Sequence, residues 1–442
     1  MPKILIVGGG YAGFYTALKL EKQLGKGEAE VTLIDPLPYM TYQPFLPEVV
    51  AGSIEARHAV VSHRRHLRKT NIVAGRVVSV EHAKKIAHVE LAGAGKQKIA
   101  YDHIVVTAGA VSRTFPIPGV SENAIGLKNI EEAVEIRNRI LSNFDTAANL
   151  PAGPERDRLL TFVVVGGGFA GIEAFAEMRS LASYLLRYYP ALTFDDVHFH
   201  LIEAMGRIMP EVSQATSEWV IANLDRRGAQ IHLNTQLVSA ENGVIKLSTG
   251  ESFASNVIVW TAGVMAHPYA SNTDLPVDER GRIRAKATLQ VADGEVSIQG
   301  AWTAGDVSAV PDLSGFGVGG FCVPNAQHAV RQAKLLARNI AADLRGEGLK
   351  EYFHKPMGAV AGLGIGVGVY QWKGLAIKGL LAWFMHRGYH GLAVPMWERK
   401  IRVFAGWIWN LVLRRDIVSI SATKGPRRQF EAYASKVAKK KK

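Results

Sequence analysis

The chain has 442 residues, 48% hydrophobic and 21% charged, enough apolar material to bury cores in about three domains and too much for a wholly disordered polymer. Its single cysteine, Cys322, excludes an intramolecular disulfide, a CxxC redox pair and a cysteine-rich metal centre. The net charge of +13 is localised, since residues 351–442 carry 17 Lys and Arg against 4 Asp and Glu and also hold five of the eight tryptophans; basic charge with tryptophan points to an interface-seeking surface, and no nucleic-acid partner is expected.

In chain order, the apolar run KILIV predicts a strand, and Gly8, Gly10 and Gly13 follow it as GxGxxG at the mouth of a helix through Leu20. The first glycine permits a tight turn, the second lets backbone approach a pyrophosphate, and the third allows close helix packing. Asp35 ends the next strand, EVTLID, 22 residues after Gly13, where it can accept hydrogen bonds from a ribose. The apolar strand begins at the third residue and leaves no room for a secretory leader, so a cytoplasmic location is expected.

The stretch AANLPAGPERDR reads as a linker, and after it the pattern repeats. TFVVV leads into Gly166, Gly168 and Gly171, and Glu203 closes VHFHLIE. Glu203 stands 32 residues past Gly171 rather than the usual ~20, and the longer helix EMRSLASYLLRYYP accounts for the difference. A carboxylate there favours a free ribose 2′-hydroxyl, hence NAD(H), although Arg207 four residues on leaves NADP(H) open. Glu173, in the first helical turn, either complements the helix dipole or acts as a carboxylate beside the nicotinamide or the reducible substrate. His198 and His200 share one face of a strand and are expected to satisfy hydrogen bonds there.

Beyond a second linker, LPVDERGR, the strand-like AWTAGD suggests that the first domain is discontinuous. Alternating glycines make residues 358–370 read as one strand. His386 and His390 are four apart, as helical metal ligands could be, but without a third ligand nearby they read as a polar helix face; no metal is expected. In VPMWERKIRVFAGWIWNLVL, the residues Trp397, Ile401, Phe404, Ile408 and Leu411 form one apolar stripe with Glu398, Arg399, Arg402 and Asn410 opposite. Together with the terminal KVAKKKK, this predicts a helix lying on an anionic bilayer; no apolar run is long enough to span one.

VVGGGFAGIE (164–173), GAWTAGDVSAVP (300–311) and AQHAVRQ (326–332) together resemble the type II NADH:quinone dehydrogenases, within the two-dinucleotide-binding-domain flavoproteins, and the likeness covers nearly the whole chain. The resemblance implies an α/β fold with two Rossmann-like domains and a C-terminal membrane-associated segment. It assigns non-covalent FAD to the first glycine turn and NADH, as co-substrate, to the second. Asp306 would bind the ribityl chain and Ala326 would face the flavin, while Gln327, with Gln332 in the same motif, would meet the quinone. The triplets Thr107–Gly109 and Thr261–Gly263 resemble the strand ends that close the two sites, which adds Gly109 to the FAD set and Gly263 to the NAD set. Glu173 and Gln327 become the candidate catalytic residues. Where the family often has two prolines or Pro-Thr before the motif, this chain has Pro324-Asn325.

The expected domains are 1–112 (FAD, first part), 113–157 (connection), 158–278 (NAD(H)), 279–346 (FAD, second part, with the quinone motif) and 347–442 (membrane surface). The expected activity is non-pumping transfer of hydride from NADH to FAD and of two electrons onward to a membrane quinone. The setting expected is a homodimer, peripheral on the cytoplasmic face of a bacterial-type cell membrane. The alternative is a soluble FAD-dependent reductase of a ferredoxin- or rubredoxin-type carrier, for which a basic, tryptophan-rich C-terminal segment has no purpose.

Overall fold

Strand Lys3–Val7 is apolar from Ile4 onward, and Ile4, Leu5 and Ile6 are at most 1% exposed, as for a strand covered on both faces of a parallel sheet. The computed structural model describes residues 1–355, 358–419, 427, 430 and 431, in two units. The first comprises Met1–Tyr42, Arg57–Arg113 and Gly263–Gly358. Its eight-stranded sheet runs Gln290–Asp293, Val296–Thr303, His103–Val106, Lys3–Val7, Glu30–Asp35, Asn71–Glu81, Ile86–Leu91, Gly95–Ala100, parallel in the centre and antiparallel at both edges. Thr303 lies in register with Val106, so two distant stretches of chain build one sheet. The chain rejoins this unit at Gly263, earlier than the boundary expected at 279, because Val264–Ala266 pairs antiparallel with Ala110–Ser112. Residues 347–358 also group here, and Tyr352 donates its N–H to Ala287 O at 2.7 Å. Helix Ala326–Leu344 packs along helix Tyr11–Gln23.

The second unit comprises Gln43–Ala56, Thr114–Ala262 and Ala359–Lys442. Its parallel sheet has the order Ala124–Gly126, Val257–Trp260, Thr161–Val165, His198–Ile202, Ala229–His232. Much of the expected connection 113–157 is helix: Ile130–Ala147 starts at a reciprocal capping box of Asn129 with Glu132, and its Phe144 ring stacks on Phe162 at 6.3 Å. An antiparallel sheet of Leu237–Ser239, Val244–Leu247 and Ser252–Ala254 follows the edge strand. Residues 358–370 are not one strand but two, Ala359–Gly362 and Gly368–Trp372, because the positive φ of Gly364 and Gly366 turns the chain back between them. Leu375–Lys378 completes this sheet, and helices Leu380–Ala393 and Trp397–Leu413 follow. Among the described residues no helix is long and apolar enough to cross a membrane. The terminal lysine run 436–442 lies outside the described residues.

Candidate functional site

The two glycine turns share one device. At Gly13 a Cβ would come within 1.8 Å of Gly8 O and 2.7 Å of Thr107 Oγ1; at Gly171 the distances to Gly166 O and Thr261 Oγ1 are 1.9 and 2.6 Å. Only glycine lets either helix approach its strand so closely. The threonines lead the two TAG triplets, and their hydroxyls close the strand ends: Thr107 Oγ1 lies 2.9 and 3.0 Å from the carbonyls of Val7 and Gly8, and Thr261 Oγ1 lies 2.9 and 3.1 Å from those of Val165 and Gly166. The third members, Gly109 and Gly263, both have positive φ and open space where a Cβ would stand. Gly10 and Gly168, by contrast, have no atom within 4 Å of such a Cβ, and neither caps its helix with a side chain. Each turn therefore presents helix N–H groups to open space, which fits the pyrophosphate of a dinucleotide.

The acids complete the duplication. Gly9 donates its N–H to Asp35 Oδ2 at 2.6 Å and Leu37 to Oδ1 at 2.7 Å; Gly167 donates to Glu203 Oε2 at 2.6 Å and Met205 to Oε1 at 2.8 Å. Each carboxylate holds a glycine turn and keeps further lone pairs for ribose hydroxyls. Burial pushes the Asp35 carboxyl up, against the pull of its two N–H donors and His63. Arg207 donates to the Val212 carbonyl rather than to Glu203. His63 was not legible as a site residue: its Nε2 lies 2.8 Å from Gly9 O, and its buried ring supports the first turn from a position 54 residues away with no motif around it.

In the first unit, a cavity of about 750 Å³ is lined by Arg113, Asp306, Cys322, Asn325, His328 and Gln332. Asp306 and Gly305, of the AGD motif, thus face the same space as the start of helix Ala326–Leu344. Asn325, where the sequence departs from the family's usual residues, caps that helix by accepting the His328 N–H at 2.8 Å. Gln332 is 2% exposed, and its Oε1 accepts the Gly305 N–H at 2.8 Å, so this side chain holds the AGD loop. Ala326 and Gln327 are half-buried in the first helical turn. His328 Nδ1 lies 2.8 Å from the Tyr352 hydroxyl, a contact that spacing did not suggest. Burial pushes the Cys322 thiol up to about 11, leaving it a small unreactive hydrophobe.

The second unit buries a charged cluster. Glu173 Oε1 accepts the Gly362 N–H at 2.9 Å and lies 2.9 Å from His386 Nε2. One turn on, buried Glu177 lies 3.7 Å from Arg415 Nη2, while Glu48 accepts from Trp407 Nε1 at 2.8 Å and lies 3.3 Å from Arg387 Nη2. Desolvation lifts Glu173 to about 7 and lowers His386 to about 4, and it raises Glu177 against the opposing pull of Arg415. The polar helix face expected of His386 and His390 is corrected: their rings are 4.6 Å apart and burial drives both pKa values down, because the helix turns them inward against Glu173. Glu48, Glu177, Arg387 and Arg415 carry no spacing signal, since the four lie on four separate segments.

The stripe of helix Trp397–Leu413 is the exposed one. Trp397, Ile408 and Leu411 are 75%, 59% and 76% exposed, whereas Val403 and Trp407 are buried and Asn410 donates to Ser53 O at 2.8 Å. On the preceding helix Leu380, Leu381, Phe384 and Leu392 are also exposed.

The profile of the pyridine nucleotide-disulphide oxidoreductases matches residues 2–333. The chain is 27% identical over 426 residues to a probable NADH dehydrogenase of Dictyostelium discoideum, covering 94% of this chain and 91% of that one. It is 27% identical over 437 residues to the type II NADH:quinone oxidoreductase Ndh of Mycobacterium tuberculosis, covering 95% and 90%. In structure it resembles NDH2 of Plasmodium falciparum, solved in complex with NADH, with a TM-score of 0.85 at 19% identity over 94% of this chain and 99% of that one. With two glycine turns of the same construction and a family profile spanning about three quarters of its length, the chain belongs to the pyridine nucleotide-disulphide oxidoreductase family.

Proposed function

We propose that this protein is a type II NADH:quinone oxidoreductase that works at a membrane surface. The duplicated glycine turn, each copy with its own carboxylate and its own threonine latch, carries the reading: one chain with two dinucleotide cradles suits electron relay between a flavin and a nicotinamide. FAD, when bound, supplies the acceptor for a hydride and the donor of two electrons. The chain's residues bind and orient. Gly8, Gly10, Gly13 and Asp35 hold the flavin's adenine dinucleotide part, with Gly109 at the strand end and Asp306 at its ribityl chain. Gly166, Gly168, Gly171, Gly263 and Glu203 hold NADH. Helix Ala326–Leu344 presents Ala326 and Gln327 to flavin and quinone, and Gln332 fixes the AGD loop from behind. Glu173, poised near neutrality by burial, can hold or release a proton where the second turn begins.

The exposed apolar residues of the last two helices, with the basic charge of the same segment, support docking to the surface of an anionic bilayer, where a membrane quinone dissolves. A homodimer on the cytoplasmic face is the setting we assign from the family resemblance. The deciding experiment compares NADH oxidation by the purified flavoprotein with a short-chain quinone and with ferredoxin as acceptors. Turnover with quinone alone is expected; turnover with ferredoxin alone would replace this reading by a carrier reductase.

A further inference from the structure

We infer that His200, His232 and Glu251 form a transition-metal site of the zinc type, tying the antiparallel sheet that follows the edge strand to the parallel sheet of the second unit. His200 lies in strand His198–Ile202, His232 ends the adjacent edge strand Ala229–His232, and Glu251 immediately precedes strand Ser252–Ala254. His200 Nδ1 is 3.0 Å from His232 Nε2, His232 Nδ1 is 3.6 Å from Glu251 Oε2, and one ligand atom from each residue lies within 4.8 Å of the other two. Donors around a tetrahedral ion bound at about 2.0–2.2 Å stand roughly 3.3 Å apart, so an ion held between His200 Nδ1 and His232 Nε2 takes Glu251 as its third ligand once that carboxylate swings from the Nδ1 side of His232 toward Nε2.

The surroundings are organised for this. The two imidazoles are within 9° of parallel, and the Phe253 ring stacks on His200 with centroids 3.8 Å apart, fixing its orientation. Burial falls off from His200, which is 5% exposed, through His232 to Glu251, whose side chain is 45% exposed. The site is closed behind the imidazoles and open beside the carboxylate, where water can take a fourth position. Two imidazoles and one carboxylate suit Zn²⁺, whereas Ca²⁺ and Mg²⁺ take oxygen-rich shells.

Occupancy would be felt at the second glycine turn. Glu203 donates its N–H to His232 O at 2.9 Å, and the Glu203 carboxylate holds Gly167. No metal was expected where the lone cysteine and the His386–His390 pair offered too few ligands; His200, His232 and Glu251, 32 and 19 positions apart on three strands or their flanks, match no ligand-spacing motif and carry no signal in the sequence.

The test uses the full-length flavoprotein, stripped with EDTA and titrated with ZnCl₂ by calorimetry, with bound metal counted by elemental analysis after desalting. Wild type is expected to bind one Zn²⁺ per chain, to melt at higher temperature with it, and to ignore Mg²⁺. Glu251→Gln, at an exposed position, and His232→Gln should each weaken binding by more than the roughly 10- to 100-fold typical of losing an outer-shell partner. Substoichiometric zinc in wild type, or either variant binding as wild type does, would overturn the assignment and leave a hydrogen-bonded imidazole pair. Metal content and affinity are read without turnover, so a failed quinone assay and a failed metal site remain distinguishable.

Discussion

Glu173 Oε1 lies 2.9 Å from His386 Nε2, and burial pushes both groups toward their neutral forms, Glu173 up to about 7 and His386 down to about 4. Between about pH 4.5 and 7 folded Glu173 keeps a proton that the unfolded chain has released, so its contribution to stability falls as pH rises. Between about pH 4 and 6.5 folded His386 lacks a proton that the unfolded chain binds, so its contribution is lost as pH falls. Over most of this range the two slopes oppose each other. Glu173→Gln removes only the first, so the variant should gain stability relative to wild type across pH 4.5–7, by up to about 3 kcal/mol. Thermal melts at half-unit pH steps check this; a difference in Tm that does not change with pH would contradict it.

The two glycine turns should fail separately. Gly171→Ala places a methyl 1.9 Å from Gly166 O and should raise the KM for NADH at least about tenfold while the protein stays yellow. Gly13→Ala makes the equivalent clash at the first turn and should lose flavin instead, read as the ratio of flavin to protein absorbance.

Donor preference should rest on Glu203. Arg207 is committed to the Val212 carbonyl, so kcat/KM for NADH should exceed that for NADPH by at least about tenfold, and Glu203→Gln should narrow the gap. Equal values in wild type would return control to Arg207.

The two glutamines of the quinone motif should separate. Gln332→Ala leaves the half-buried Gly305 N–H unpaired, a cost of about 1 kcal/mol that should appear as faster flavin loss. Gln327→Ala should raise the quinone KM or lower turnover while stopped-flow bleaching of the flavin by NADH stays near wild type. A parallel fall in bleaching would make Gln327 a support for the flavin.

Membrane docking is better tested by point substitution than by removing the C-terminal helix, since deletion would also take Trp407 from Glu48 and Arg415 from Glu177 and leave buried carboxylates without those partners. Trp397→Ser, Ile408→Ser and Leu411→Ser together change only exposed positions. The triple variant should lose flotation with anionic vesicles and activity with long-chain quinone, yet retain flavin and NADH-dependent reduction of ferricyanide. Undiminished flotation would move the docking surface elsewhere.

The glycine turns, Asp35, Glu203 and the Ala326 helix were legible because each is a local device: a strand, a turn and a helix opening within a few residues, with an acid at the end of the next strand, follow from backbone geometry and periodicity alone. The apolar stripe from Trp397 to Leu411 was equally legible, but helical periodicity cannot say whether a stripe faces protein or solvent; packing through Val403, Trp407 and Asn410 decided that. Likewise His386 and His390 read as surface until the fold set them against Glu173, and the hydrogen bond that Gln332 accepts from Gly305 has no counterpart in the motif's spacing. His63, Glu48 and the His200–His232–Glu251 group were beyond sequence reading, because their partners come from separate segments with no shared period. Local spacing determined where the two cradles lie; burial and long-range contact, which exist only once the sheets have assembled, decided which polar side chains are paired, which are neutral and which face remains open.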